Sequence, residues 1–94
     1  MANATKRALQ VIKALQGKTF SGVSVSELAT ALKTSSSNIC RDLDDLVSEG
    51  FAEKRTDGRY QLSISLLQIA KSHQSETERL QERINEYNQR ISRF

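Results

Sequence analysis

The sequence predicts a mainly α-helical fold with one small β-hairpin, followed by a long C-terminal helix that resembles a strand of a coiled coil. Three observations lead to this prediction. Apolar residues recur at helical spacing along most of the 94-residue chain. One Asp-Gly pair separates two short strand-like segments, and the chain has no proline and only four glycines. We therefore expect a winged helix-turn-helix domain over residues 1–63 and a long dimerisation helix over residues 64–94.

Composition restricts the class of protein. Hydrophobic residues make up 37% of the chain and charged residues 27%, which is typical of a globular domain rather than a disordered one. A single cysteine cannot form an internal disulfide, so the cytoplasm is the predicted location. No apolar run approaches the roughly 20 residues of a membrane helix, and the N-terminus lacks a signal-peptide pattern. A chain this short builds few deep pockets, so neither an enzyme nor a bound cofactor is expected.

Three helices are predicted over residues 5–16, 25–33 and 36–48. Each has apolar residues three and four positions apart, so that one face of each helix is apolar. Ser24 and Glu27 form a capping-box pattern at the start of the second helix. The predicted inner faces comprise Ala8, Val11, Ile12 and Leu15 in the first helix, Leu28, Ala31 and Leu32 in the second, and Ile39, Leu43, Leu46 and Val47 in the third.

A β-hairpin is predicted after the third helix. Residues 51–55 and 59–62 flank Asp57 and Gly58, and an Asp-Gly pair between two short strands is a strong turn signal. A two-stranded ribbon is marginally stable alone in water, so the hairpin must pack against the helices. The order of helix, helix, tight polar turn, helix and basic hairpin is that of a winged helix-turn-helix. In that motif the third helix enters the major groove of duplex DNA.

The exposed side of the third helix supplies the first candidate DNA contacts. If its apolar residues face inward, Ser37, Asn38 and Arg41 point outward from the leading half, which contacts bases in this motif. Arginine can pair with guanine there, and asparagine with adenine. The predicted DNA-binding residues of the helix and the hairpin are Ser36, Ser37, Asn38, Arg41, Lys54, Arg55 and Arg59.

Simpler interpretations exist for these residues. Arg41 can pair with Asp44 or Asp45 on its own helix, and the serines can simply cap that helix. The hairpin cations can form a solvated tip that protects a strand edge. The third helix carries three acids, and two of them, Asp44 and Asp45, should face outward and repel phosphate unless they accept hydrogen bonds from cytosine. Cys40 is interpreted as a half-buried residue, with a redox sensor as the alternative.

The last third of the chain predicts a helix that pairs with another helix. Apolar residues step by three and four over about four heptads, which is the pattern of a coiled coil. We call this apolar stripe the seam, and the polar residues His73 and Thr77 weaken its centre. His73 has no Cys or His neighbour with which to bind a metal. A homodimer is the favoured interpretation, with a hetero-partner helix or a folded-back helical hairpin as alternatives. The predicted dimerisation residues are Leu80, Ile84, Tyr87, Ile91 and Phe94.

Three segments carry a resemblance to a known family: KRALQVIKALQ, SVSELATALKTSSSNICRDLDDLVSEGF and DGRYQLSISLLQIA. They are similar to the opening helix, the helix-turn-helix and the wing of the N-terminal DNA-binding domain of the IclR family of bacterial transcription regulators. The resemblance covers about residues 5–70 and implies an operator-binding dimer. By position it implies DNA contacts from Ser36, Ser37, Asn38, Arg41 and Arg59. The family continues into an effector-binding domain that this sequence lacks, so no small-molecule effector is expected.

The predicted function is sequence-specific binding of double-stranded DNA by a homodimeric transcription regulator. Repression by promoter occlusion is the simplest mechanism, and the small size would suit a phage or mobile element. One alternative is a winged-helix protein–protein interaction module, because a net charge of +3 is modest for a DNA-binding protein. Another is a non-specific architectural DNA-binding protein. No binding to a membrane is expected.

Overall fold

Four helices and one β-hairpin form the part of the chain that the structure describes. The computed structural model describes residues 3–93. Its elements are α1 (Ala4–Ala14), α2 (Val25–Leu32), α3 (Ser36–Ser48), β1 (Ala52–Lys54), β2 (Tyr60–Leu62) and α4 (Ile64–Ser92). This order confirms the predicted fold class, a winged helix-turn-helix followed by a long C-terminal helix. Among the described residues, no helix combines the length and hydropathy that a membrane span requires.

Serine side chains define the starts of three helices. The Oγ atom of Ser24 accepts a hydrogen bond from the Glu27 backbone N–H at 3.1 Å, which confirms the predicted cap of α2. Ser35 caps α3 in the same way, and Ser63 caps α4. The predicted bounds of α3 agree with the structure. The helix α1 ends two residues earlier than predicted, because the chain turns after it toward Gly17, which has a φ of +75°.

The hydrophobic core lies between the three short helices and the hairpin. Its buried residues are Val11, Leu15, Val23, Leu28, Ile39, Leu43, Leu46, Ala52 and Tyr60. Two predictions of burial are wrong, because Val47 is 40% exposed and Ala31 is also exposed. On α3 the inner face is rotated toward α1, so that Asp42 is buried in place of Val47. On α2, Ala29 rather than Ala31 packs against the core.

The hairpin gains a third paired segment from the loop before α2. Strands β1 and β2 are antiparallel, and the register pairs Lys54 with Tyr60. Val23 pairs with Tyr60 from the other side through two backbone hydrogen bonds of 2.8 and 2.9 Å. Gly58 adopts a φ of +83° in the turn, which a residue with a Cβ rarely does. The hairpin therefore packs against the helical core as predicted.

The long helix α4 extends beyond the other elements. Its 29 residues span about 43 Å. None of the described residues of α4 is buried, and the protein measures 67 × 32 × 21 Å. The helix is continuous, so the alternative of a folded-back helical hairpin is wrong for this chain. Most of its surface is thus left to water or to a partner.

Candidate nucleic-acid interface

The leading half of α3 presents polar side chains to solvent. Ser36, Ser37 and Arg41 are exposed, and the opposite side of the helix packs into the core. Asn38 is half-buried, and its Nδ2 atom donates a hydrogen bond to Thr34 Oγ1 at 2.9 Å. The structure therefore brings two serines and one arginine together on an exposed surface, whereas the Asn38 amide is partly engaged at the turn.

Arg41 has no ionic partner among residues 3–93, although Asp44 and Asp45 lie within one helical turn of it. All three side chains are exposed, so the guanidinium of Arg41 is accessible to another molecule. Cys40 of α3 is also exposed, which corrects the expectation that it is half-buried. Its exposure has the same cause as that of Val47, namely the rotation of α3 that buries its Asp42 side.

A buried ion pair holds α3 against α1. Asp42 is 3% exposed, and its carboxylate accepts two hydrogen bonds from Arg7, from Nε at 2.6 Å and from Nη2 at 3.0 Å. This bidentate geometry is the strong form of an arginine–carboxylate contact. The hydrogen bonding to Asp42 raises the pKa of the Arg7 guanidinium, which stays charged. Sequence reasoning missed this pair, although Asp42 follows Ile39 by three positions and so shares its inner face.

The two arginines of the hairpin fold back onto the loop between α1 and α2. Arg55 donates hydrogen bonds from Nη1 to the backbone carbonyls of residues 19–20. Arg59 donates to the carbonyls of residues 21–22, from Nε at 3.1 Å and from Nη2 at 3.2 Å. Four successive carbonyls of the loop thus accept hydrogen bonds from the wing. Lys54, the third predicted cation of the hairpin, is exposed.

Two carboxylates complete this set of contacts, which we call the wing latch: Arg55, Arg59, the carbonyls of residues 19–22, Glu27 and Asp57. Arg59 Nη2 lies 2.7 Å from Glu27 Oε1, and this hydrogen bond lowers the pKa of Glu27. The backbone N–H of Arg59 donates to Asp57 at 3.0 Å and lowers its pKa, with the nearby charge of Arg55 adding to the effect. Sequence reasoning missed the latch because its partners lie up to 38 residues apart along the chain. The DNA contacts predicted for Arg55 and Arg59 stay predictions.

Gly22 makes room for the wing latch. Its φ is +69°, and a Cβ atom at this position would lie 2.7 Å from Arg55 Cδ and 2.9 Å from Arg59 Cβ. Gly17 has a similar φ of +75°, but a Cβ atom there would meet nothing within 4 Å. A comparison of alanine substitutions at the two glycines therefore distinguishes the cost of a left-handed backbone from the cost of steric conflict with the wing latch.

We expect Gly22→Ala to destabilise the protein more than Gly17→Ala. Both alanines would hold a left-handed backbone, which costs about 1 kcal/mol each. Gly22→Ala should cost at least about 1 kcal/mol more, because the arginine side chains must move. Urea unfolding measures both changes, and hydrogen exchange at Val23 and Tyr60 reports on the wing itself. Equal losses for the two variants would contradict a role of Gly22 in the latch.

The predicted seam of α4 is exposed along the helix. Leu80 is 55% exposed, Ile84 45%, Tyr87 67% and Ile91 59%. Phe94, the last predicted dimerisation residue, lies outside the described residues. Within residues 3–93, no three His, Cys, Asp or Glu side chains are grouped as a metal site would require.

The fold is shared with two solved structures. HmgR from Pseudomonas aeruginosa matches with a TM-score of 0.68 and 22% sequence identity, over 82% of this chain and 33% of that chain. An IclR homolog from Microbacterium sp. strain HM58-2 matches with a TM-score of 0.66 and 22% identity, over 86% of this chain and 33% of that one. The protein has an IclR-like fold.

The IclR-like fold confirms at the level of architecture the resemblance found in the sequence. The chain spans about one third of the length of each of these two structures. Neither a protein-family model nor a curated protein matches it. In this IclR-like fold, α2 and α3 form the helix-turn-helix, and β1 and β2 form the wing.

Proposed function

We propose that the protein binds double-stranded DNA in a sequence-specific manner, as the DNA-reading part of a homodimeric transcription regulator. The observation that carries this proposal is the unpaired, exposed Arg41 in the leading half of α3, on a helix whose other side is anchored by Asp42 and the core. A helix with this exposure fits a major groove about 12 Å wide. Binding across a promoter would exclude RNA polymerase, so repression by occlusion is the simplest mechanism.

Each exposed group has a role in this proposal. The Ser36 and Ser37 hydroxyls, with the first backbone N–H groups of α3, would bind phosphate oxygens. Arg41 would donate two hydrogen bonds to O6 and N7 of a guanine. Lys54 would contact the neighbouring backbone, and Arg59 would act mainly through the wing latch that holds the hairpin in place. Residues 1–63 would thus contact DNA, and the α4 seam would hold two copies together.

A protein-interaction module is the second candidate, and the exposed acids of α3 favour it. Asp44 and Asp45 follow Arg41 on the same helix and are both exposed. Their charges oppose a close approach of DNA phosphates to the trailing half of α3, but would suit a basic protein surface. On the DNA hypothesis these acids limit contact to the leading turns of the helix.

Selection of binding sites from a random duplex pool tests these candidates. An enriched inverted repeat would support a dimeric, sequence-specific regulator. Fluorescence anisotropy at two salt concentrations then measures affinity, because phosphate contacts make binding steeply salt-dependent. Salt-dependent binding without enrichment would instead indicate a non-specific architectural protein. An absence of any binding would overturn the proposal in favour of the protein-interaction module.

Arg41→Ala is expected to weaken binding to the selected site by about tenfold or more, since a bidentate arginine–guanine pair contributes roughly 1–3 kcal/mol. The unfolding midpoint should stay unchanged, because Arg41 is exposed. Arg79→Ala is the matched control, since Arg79 is an exposed arginine on α4, away from the proposed interface. It should change affinity by less than about twofold. Equal effects of the two variants would contradict base contact by Arg41.

A further inference from the structure

The seam of α4 has a polar middle and an apolar C-terminal half. Each heptad of α4 contributes two residues to the seam, at positions called a and d. Position a is occupied by Ala70, Thr77, Ile84 and Ile91. Position d is occupied by Leu66, His73, Leu80 and Tyr87. All of these residues are exposed except the half-buried Leu66. The order of polar and apolar layers restricts which arrangement of a second helix can cover them.

We infer that two copies of α4 pair in parallel and in register as a two-stranded coiled coil. The inference rests on the homodimer of the proposed function and specifies its geometry. In this arrangement every seam residue faces its own copy. His73 and Thr77 face polar residues, and the apolar layers from Leu80 to Ile91 face apolar residues. No polar group is forced against an apolar one, which would carry a desolvation cost.

The first antiparallel alternative pairs the full length of the two helices. It brings Glu76 beside Arg83 of the second copy, which is favourable for the charges. The same register sets His73 against Ile84 and places Thr77 against an apolar residue as well. Exposed ion pairs contribute little to stability, whereas buried polar groups without partners are costly. The seam therefore disfavours this register.

The second antiparallel alternative pairs only the apolar C-terminal halves. It matches Leu80 with Ile91 and Ile84 with Tyr87, so its seam is apolar throughout. Its flanks place Arg83 beside Arg90 of the second copy, and symmetry repeats this contact. Two such like-charge contacts oppose association. The parallel pairing has no such conflict, since Arg83 would there lie beside an asparagine and Glu76 beside a glutamine.

Within a parallel coiled coil, the residue types at the two seam positions favour two strands over three or four. Parallel two-stranded coiled coils prefer β-branched residues at a and leucine at d. Thr77, Ile84 and Ile91 are β-branched residues at a, and Leu66 and Leu80 are leucines at d. The matching of layers thus selects parallel pairing, and the side-chain branching is typical of two strands in that arrangement.

Parallel pairing has a consequence for the DNA site. It places the two Ser63 caps at the same end of the coiled coil, so the two winged helix-turn-helix units lie side by side. Two recognition helices can then enter adjacent major grooves, about 34–36 Å apart. Full-length antiparallel pairing would instead separate the units by nearly the length of α4, about 43 Å.

Disulfide trapping of the full chain tests this inference without DNA. In a Cys40→Ser background, Ile91→Cys places the only cysteine in the seam, near the end of α4. Parallel pairing brings the two introduced thiols into opposition. In either antiparallel register they are at least about 16 Å apart along the axis, beyond the reach of a disulfide. Gln89→Cys is the matched control, because this exposed position lies two residues away and outside the seam.

We expect oxidised Ile91→Cys to run mainly as a covalent dimer of twice the 10.5 kDa chain mass, and Gln89→Cys to remain mainly monomeric on the gel. Sedimentation of the reduced proteins should show dimers in both cases. When Ile91→Cys is mixed with Leu80→Cys or Leu66→Cys, preferential formation of the mixed disulfide would overturn parallel pairing. Monomers in sedimentation would also overturn it, and site selection would still report separately on DNA binding.

Discussion

Replacement of Asp42 by alanine is expected to lower the midpoint of thermal unfolding by more than about 10 °C. The carboxylate is buried and accepts both hydrogen bonds that Arg7 donates across the α1–α3 contact. Alanine would leave the Arg7 guanidinium half-buried without its partner, and a charge in that position is costly. The loss should also weaken DNA binding, because α3 would no longer be held at a fixed angle on α1.

Asp45→Ala is the matched control for this prediction. It removes the same side chain from the same helix, but from an exposed position. We expect it to shift the midpoint by no more than about 2 °C, as is usual for an exposed site. Circular dichroism during heating measures both variants. If Asp42→Ala unfolded within a few degrees of Asp45→Ala, the Arg7–Asp42 pair would not be a main support of α3.

Truncation of the chain after His73 is expected to leave a folded monomer. Its affinity for the selected operator should be at least about 100-fold lower than that of the full chain. The core residues all precede α4, so the winged helix-turn-helix should keep its circular dichroism spectrum. The seam residues Leu80, Ile84, Tyr87 and Ile91 would be lost. Each copy of the protein would then bind its half-site separately, without the high effective concentration that pairing of the two copies provides. Sedimentation and anisotropy measure the two effects.

Two double variants of the full-length chain control for effects of truncation other than the loss of the seam. Leu80→Ala with Ile84→Ala removes two seam side chains and should reproduce the loss of dimers. Glu82→Ala with Gln89→Ala changes two exposed positions on the opposite side of α4 and should leave the dimer intact. A truncated protein that still sedimented as a dimer would show that another surface holds the copies together.

Much of the fold was predictable because its signals are local. The Ser24 cap, the bounds of α3 and the Asp57-Gly58 turn each depend on residues within four positions of one another. The exposed position of Arg41 also followed from helical spacing, since its neighbours on the other side of α3 are apolar. These features need no knowledge of distant segments.

The candidate site was predictable only in part. Periodicity treats an acid as a surface residue, so it placed Val47 rather than Asp42 on the inner face of α3. The predicted hairpin likewise grouped Arg55 and Arg59 with Lys54 as free cations near its tip. The structure shows that both arginines donate to backbone carbonyls of a loop that precedes them by more than 30 residues. Composition and spacing carry no information about such partners.

The sequence by itself thus determined the order of the elements, the cap of α2 and the exposed seam of α4, because neighbouring residues decide these features. Only the tertiary structure decided which charged side chains pair with other groups of the protein itself. Arg7 and Asp42 are 35 residues apart, and they meet because α1 packs against α3. The wing arginines meet the loop because Tyr60 pairs with Val23. In both cases packing of the apolar core brings distant polar groups together, and burial then requires that each find a partner.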